Sequence, residues 1–214
     1  MYNIQANNIR DAHEEIVHLI NNNGMIVRTE DREFTLELYE PLSVHIARPL
    51  NEPMILEEVG FSRNYMEEYA VQLGYPSENT FSYTYGNRLR NYNGYDQKAN
   101  IINVLSRNRT SRRAIMHTWM VDTDSEGAHV PCMQTVQFLR RTNPFTGTDY
   151  LNCIATFRSN DMLMAWGCNA YGLVRLQESI AGHLDCVVGW LNTISSSAHI
   201  YFKRDETTLR KIVG

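Results

Sequence analysis

The chain has 214 residues, 43% of them hydrophobic and 21% charged, with a formal net charge of -4. That is long enough for one domain with a full core, too short for two large ones, and unlike the composition of a disordered chain. The negative balance excludes a general nucleic-acid binder but leaves room for a small anion held by a local arginine cluster.

No apolar run approaches the roughly 20 residues that span a bilayer. Met1-Tyr2-Asn3-Ile4-Gln5 has neither the basic nor the apolar region of a secretion signal. A cytoplasmic protein with no membrane partner is expected. Cys132, Cys153, Cys168 and Cys186 form no CxxC pair, so free thiols are expected. No Cys/His pairs stand at zinc-ligand spacing, so no metal is expected.

In chain order, residues 9–22 predict an amphipathic helix, with Ile9, Ala12, Ile16, Leu19 and Ile20 on one face and Asn23-Gly24 closing it. Residues 25–48 alternate as strands at 25–27, 34–38 and 42–46, and 29–33 is the polar turn between the first two. Pro49 and Pro53 mark a loop, and 65–73 reads as a short helix. Residues 82–90 mix aromatics with arginines before the Asn91-Tyr92-Asn93-Gly94 turn. Residues 96–108 predict a helix, 114–121 a strand and 122–128 a polar loop. Residues 132–140 and 150–157 pair as a hairpin through Asn143-Pro144-Phe145-Thr146-Gly147. The longest helix is expected over 171–191, apolar on most sides and therefore buried against a sheet. A last strand is expected at 199–203. With no repeat and no low-complexity linker, 1–214 reads as a single α+β domain.

Several residues could carry chemistry. Cys132, behind Pro131 at the mouth of an alternating run, is a nucleophile if a nearby cation favours its thiolate, and a buried structural thiol otherwise. Ser111-Arg112-Arg113 and Arg158-Ser159 are two arginine–serine groups whose forks and hydroxyls suit a phosphate; solvated salt-bridged faces are the alternative. Asn169, at the entry of the apolar helix, could cap it or could read a base edge with its carbonyl and NH2. His199 and Tyr201, two apart on a strand, face the same side and suit ribose hydroxyls, or else form a satisfied core pair.

The order and spacing of these segments resemble the thymidylate synthase family, including its nucleotide hydroxymethylase relatives. The likeness runs from about Tyr83 to Tyr201. It is carried by Tyr85-Gly86 with Arg88-Leu89-Arg90, Asp96-Gln97, Ser111-Arg112-Arg113, Pro131-Cys132 with Gln137-Phe138, Arg158-Ser159-Asn160-Asp161, Asn169 and His199-Ile200-Tyr201. The resemblance implies a three-layer α+β fold, with a large mixed sheet flanked by helices and two sheets packed face to face in a homodimer. It implies a pyrimidine nucleoside monophosphate as substrate and 5,10-methylenetetrahydrofolate, or a methanopterin analogue, as co-substrate.

By the same resemblance Cys132 adds to C6 of the base, and Arg158 and Ser159 hold the 5′-phosphate, with Arg158 also favouring the thiolate. Arg112 and Arg113 reach the partner subunit's phosphate. Gln137 and Asn160 join the substrate-binding set, Asn169 reads the base and His199 and Tyr201 bind the 3′-hydroxyl. Asp161 touches the folate and Tyr85 lies beside the reacting base. An early phosphate-binding arginine is either Arg28 or Arg32. The family's proton-relaying glutamate falls among Glu57, Glu58, Glu67 and Glu68. Met133 stands where the common pattern has a histidine. The amide of Asn169 points to dUMP rather than dCMP. The expected reaction forms dTMP; hydroxymethylation of dUMP or (d)CMP, with water in place of hydride, is the alternative outcome.

Overall fold

The computed structural model describes residues 1–77, 83–127 and 129–214. Residues 78–80 of the long loop, Ser82 of the aromatic–arginine stretch and Ala128 of the polar loop lie outside the described residues.

A mixed eight-stranded sheet forms the base layer. Its main path uses β1 (Tyr2–Ala6), β4 (Leu42–Ile46), β8 (Val187–Ile200), β7 (Asp149–Asp161), β6 (Met133–Thr142) and β5 (Ile115–His117), side by side in that order. The neighbours β1–β4 and β8–β7 run parallel; β4–β8, β7–β6 and β6–β5 run antiparallel. Fourteen-residue β8 is long enough to take β4 along Leu191–Ser195 and, at its far end, β3 (Phe34–Glu37) at His199 and Ile200. A hairpin of β2 (Met25–Arg28) and β3 thereby hangs from the end of β8.

Helix α6 (Trp166–Leu184) lies on this sheet and is buried along nearly its whole length, as its apolar sequence demands. Two polar side chains fix it there: Trp166 Nε1 donates to Thr193 Oγ1 at 3.0 Å, and the Gln177 amide donates to the Leu151 carbonyl at 2.6 Å. Helix α1 (Ile9–Asn23), capped by the Asn8 side chain on the Asp11 N–H, buries Ile9, Ala12, Ile16 and Ile20 beside it. The outer layer holds α2 (Arg63–Gly74), α3 (Tyr85–Arg90) and α4 (Gln97–Arg107), the last capped by Asp96. The fold is thus the α+β class expected, a large mixed sheet flanked by helices.

The other sheet face is different. A cross-strand row of His45, Asn192, Ile154 and Gln137 and the next row of Ser43, Ile194, Thr156 and Thr135 point away from α1 and α6 and stay half-exposed.

Three expectations shift. The long helix starts five residues earlier than read and stops at Leu184, where Asp185 adopts a left-handed φ of 51°. Val187 to Leu191 then opens β8: a continuous apolar run fits a buried strand as well as a buried helix, and periodicity alone does not separate them. The strand expected at 199–203 is the tail of β8 and ends at Ile200. The strand read over 114–121 keeps only Ile115–His117, and Val121–Asp124 forms a short helix α5 across the junction of that expected strand with the polar loop. Strand β1 and the closing helix α7 (Glu206–Val213) were not anticipated. Among the described residues, no helix is long and apolar enough to cross a membrane.

Candidate active site

Cys132 sits one residue before β6, half-buried, with Pro131 buried behind it. Its carbonyl accepts the Arg158 N–H at 2.9 Å, which ties the cysteine to the far half of β7. Just beyond it the ladder slips: Met133 pairs with Phe157 but Thr135 with Thr156, so Gln134 is the extra residue of a β-bulge. Bulges re-aim side chains where a strand meets a site.

The Arg158 guanidinium wraps the cysteine. Nε donates to the Pro131 carbonyl at 3.0 Å, and Nη2 to the Val130 carbonyl at 3.1 Å while lying 3.8 Å from Cys132 Sγ. Nη1 remains available to a ligand. Burial pushes the Cys132 thiol above its ordinary pKa; Arg158 pulls it down and Asp161 pushes it up. Burial outweighs the arginine, so the resting group is a thiol.

Tyr85 begins α3 under a Thr84 cap, and its hydroxyl accepts the Met133 N–H at 3.1 Å. The tyrosine is brought in by the glycine that follows it. A Cβ on Gly86 would stand 1.8 Å from the Tyr75 carbonyl oxygen, so only glycine lets α3 start this close to the end of α2. Tyr83 packs edge-on to Tyr85 at 5.8 Å. Tyr69, Tyr83 and Tyr85 all lie near enough to Cys132 for a thiolate there to act on them, and burial raises the pKa of each, so they are proton donors rather than phenolates.

Asn169 is the fourth residue of α6 and does not cap it: the helix has no side-chain cap, and Asp161 Oδ1 instead accepts from the N–H groups of Leu163 and Met164. The buried Asn169 amide takes the Tyr69 hydroxyl on Oδ1 at 2.5 Å and donates from Nδ2 to Asn160 Oδ1 at 3.3 Å. Asp161 Oδ2 accepts from Arg204 at 2.6 Å. His199, paired across the ladder with Asp161, meets Tyr201 edge to face at 5.1 Å. Burial lowers its pKa, against the pull of Asp161 and Glu37, so it is a neutral imidazole at ordinary pH. Its Nδ1 lies 3.3 Å from Ser197 Oγ, and Ser197 pairs with Ser159.

One end of β6, β7 and β8 therefore gathers Cys132, Arg158, Ser159, Asn160, Asp161, His199, Tyr201, Asn169 and Tyr85. Arg28 and Arg32 are exposed on the β2–β3 hairpin, Arg32 at a left-handed φ of 65° in its turn. Asp31 and Glu33 of that turn act on Tyr201, so the hairpin tip overlooks the same end. Gln137, Arg112 and Arg113 are not brought there. Gln137 lies five residues along β6, about 16 Å away at strand rise, on the half-exposed sheet face, where its amide holds the Arg112 carbonyl at 3.0 Å. Glu67 turns to Tyr171 and Arg175 on α6.

A family model described as thymidylate synthase matches residues 53–212. The chain belongs to the thymidylate synthase family. Two archaeal relatives carry a provisional name as thymidylate synthases. The protein of Methanosarcina barkeri is 37% identical over 201 residues, 92% of this chain and 88% of its own. That of Methanocaldococcus jannaschii is 35% identical over 217 residues, 97% and 94%. Among solved structures, thymidylate synthase from T4 phage shares the fold at a TM-score of 0.70 and 16% identity, covering 93% of this chain and 79% of its own. Membership makes the chain an enzyme of the one-carbon transferase class, in a family that binds a nucleotide and a folate.

Sequence reasoning missed Tyr69, Tyr83 and Arg204. Tyr69 had a legible signal: it stands three residues after Met66 and four before Leu73, both buried on α2, so it shares their inward face.

Proposed function

We propose that this chain, acting as one domain over residues 1–214, is a thymidylate synthase that converts dUMP to dTMP in the cytoplasm through a covalent bond between Cys132 Sγ and C6 of the base. The observation that carries the reading is Arg158 Nη2, 3.8 Å from a thiol otherwise disfavoured from ionising. A guanidinium there stabilises the thiolate as it forms, and its unengaged Nη1, with the Ser159 hydroxyl, suits a phosphate oxygen.

Addition forms the S–C6 bond and moves the C5=C6 electron pair to C5, with charge delocalised onto O4. Asn169 hydrogen-bonds the O4 and N3–H edge; His199, neutral, and Tyr201 take the 3′-hydroxyl. Tyr85, held by the Met133 N–H, stands beside the base as a neutral phenol. Arg28 or Arg32, on the hairpin beside Tyr201, closes on the phosphate.

The folate fits what is there. Asp161 keeps acceptor capacity after its bonds to Leu163, Met164 and Arg204, and its side chain is only 15% exposed, which suits an N–H-rich pterin. A reduced folate supplies the one-carbon unit and the hydride; methylenetetrahydrofolate is the proposed form. Substitution at C5 expels the C5 hydrogen as a proton, and release of product re-forms the C5=C6 bond and returns the electron pair of the S–C6 bond to Cys132.

The half-exposed sheet face supports a homodimer packed sheet to sheet. Exposed Arg112 and Arg113 stand at its edge, with Arg112 held by Gln137, and reach the phosphate bound by the partner subunit. The test is product mass after incubation of dUMP with methylenetetrahydrofolate. A gain of a methyl group with formation of dihydrofolate supports synthase chemistry; a hydroxymethyl product without dihydrofolate refutes it.

A further inference from the structure

The amide of Asn169 is one link in a buried hydrogen-bonded chain. Tyr69 OH lies 2.5 Å from Asn169 Oδ1, Asn169 Nδ2 lies 3.3 Å from Asn160 Oδ1, and Asn160 Nδ2 lies 3.4 Å from Ser195 Oγ. Asn160, Asn169 and Ser195 are each at most 3% exposed.

Such a chain has a direction. Run one way, Tyr69 donates to the Asn169 oxygen; run the other, the Asn169 NH2 donates to the Tyr69 oxygen. Distance separates the two. O–H···O bonds reach about 2.5 Å, whereas N–H···O bonds cluster near 2.9–3.0 Å. The 2.5 Å contact is therefore a phenol donating to a carbonyl, and the 3.3 Å contact is an amide N–H donating to Asn160. Burial raises the Tyr69 pKa, so the phenol keeps the proton that this direction needs.

Direction matters because both pyrimidines could use an asparagine. Uracil offers O4 as acceptor and N3–H as donor; cytosine offers its 4-amino group as donor and N3 as acceptor. An amide free to turn over by 180° serves either. An amide held in one orientation serves one. After Tyr69 and Asn160 are satisfied, Asn169 retains one lone pair on Oδ1 and one N–H on Nδ2 for a ligand.

We propose that Tyr69 is the specificity-determining residue of this site: its hydroxyl fixes the orientation of the Asn169 amide, and thereby the choice between the keto edge of uracil and the amino edge of cytosine. The proposal rests on the reading of Asn169 as the base-binding residue given above. It also assigns a task to the inward face of α2. Glu67, two residues earlier and so on the opposite side of the helix, is engaged by Tyr171 and Arg175. Tyr69 acts through Asn169 and is a positioning residue.

The experiment compares kcat/KM for dUMP and dCMP in wild type, Tyr69→Phe, Asn169→Asp and the double variant. Tyr69→Phe removes one hydroxyl and keeps the ring, and its fold is checked by thermal melting. Its preference for dUMP over dCMP falls about tenfold, the effect of one net hydrogen bond. Both oxygens of the Asn169→Asp carboxylate are alike, so Tyr69→Phe no longer alters discrimination in that background, a coupling that a merely structural tyrosine would not produce. If Asn169→Asp shifts the dUMP/dCMP ratio while Tyr69→Phe leaves it unchanged, the role of Tyr69 is overturned and the base-reading role of Asn169 stands. If Asn169→Asp leaves the ratio unchanged, the reading beneath the proposal fails.

Discussion

Arg158 holds Cys132 from three directions: its backbone N–H binds the Cys132 carbonyl, its Nε and Nη2 bind the carbonyls of Pro131 and Val130, and Nη2 lies 3.8 Å from the sulfur. The same side chain thus fixes the loop that carries the thiol and offsets part of the burial that disfavours its thiolate.

It follows that Arg158→Gln raises the Cys132 thiol pKa further, since burial still pushes it up and the opposing cation is gone. The reactive thiolate fraction grows with pH, so the pH profile of Cys132 alkylation by iodoacetamide moves to higher pH in the variant. Turnover drops on the order of a hundredfold, as for loss of one charge-stabilising donor. Superimposable alkylation profiles would show that Arg158 does not tune the thiol.

Gly86→Ala tests the join between α2 and α3. The added Cβ meets the Tyr75 carbonyl oxygen at 1.8 Å and that of Gln72 at 2.5 Å, and backbone at both contacts leaves little to yield. A loss of about 3 kcal/mol in urea unfolding is expected, with Tyr85 displaced and activity reduced beyond the loss of folded protein. Wild-type stability in this variant would contradict the packing described.

His13 predicts an acid-sensitive fold. It is fully buried, its Nε2 lies 3.0 and 3.1 Å from the carbonyls of Met162 and Leu163, and its pKa is lowered from 6.5 to about 4. The folded-state value is depressed for a base, so the unfolded chain takes up a proton first. Stability is at its full value above pH 6.5 and falls as pH drops through the interval, and the loss amounts to about 3 kcal/mol by pH 4. Urea unfolding at a series of pH values should show this slope, and His13→Gln, which keeps a donor without the titration, should lack it. Parallel curves would refute the assignment.

Much of this was readable from residues alone. The helices beginning at Ile9 and Gln97 declare themselves by apolar period, and the β6–β7 hairpin by alternation and its turn. The cluster around Cys132 was legible through its motifs. What escaped depends on partners distant in sequence. Val187 to Leu191 is as apolar as a helix and becomes a strand because β7 pairs with it from Val187 onward, with β4 joining at Leu191. Tyr69 matters through Asn169, a hundred residues away. Glu67, one of four candidate glutamates, binds Arg175 and Tyr171 of α6, partners that lie about a hundred residues on in the chain.

If the arginines of one subunit serve the other's site, two inactive parents complement each other. Mixing Cys132→Ser with the Arg112→Ala/Arg113→Ala double variant after dissociation should recover roughly a quarter of wild-type activity, because half the dimers are mixed and each has one intact site. No recovery, with mixed dimers demonstrated by native mass spectrometry, would place both arginines outside the partner's site.

The most direct test of the central claim is intact-protein mass spectrometry after incubation with 5-fluoro-dUMP and methylenetetrahydrofolate, followed by peptide mapping. A stable adduct is expected, whose mass includes the nucleotide and whose site is the peptide bearing Cys132, absent from Cys132→Ala. A protein that turns over dUMP yet forms no such adduct, or a Cys132→Ala variant with full turnover, would contradict it.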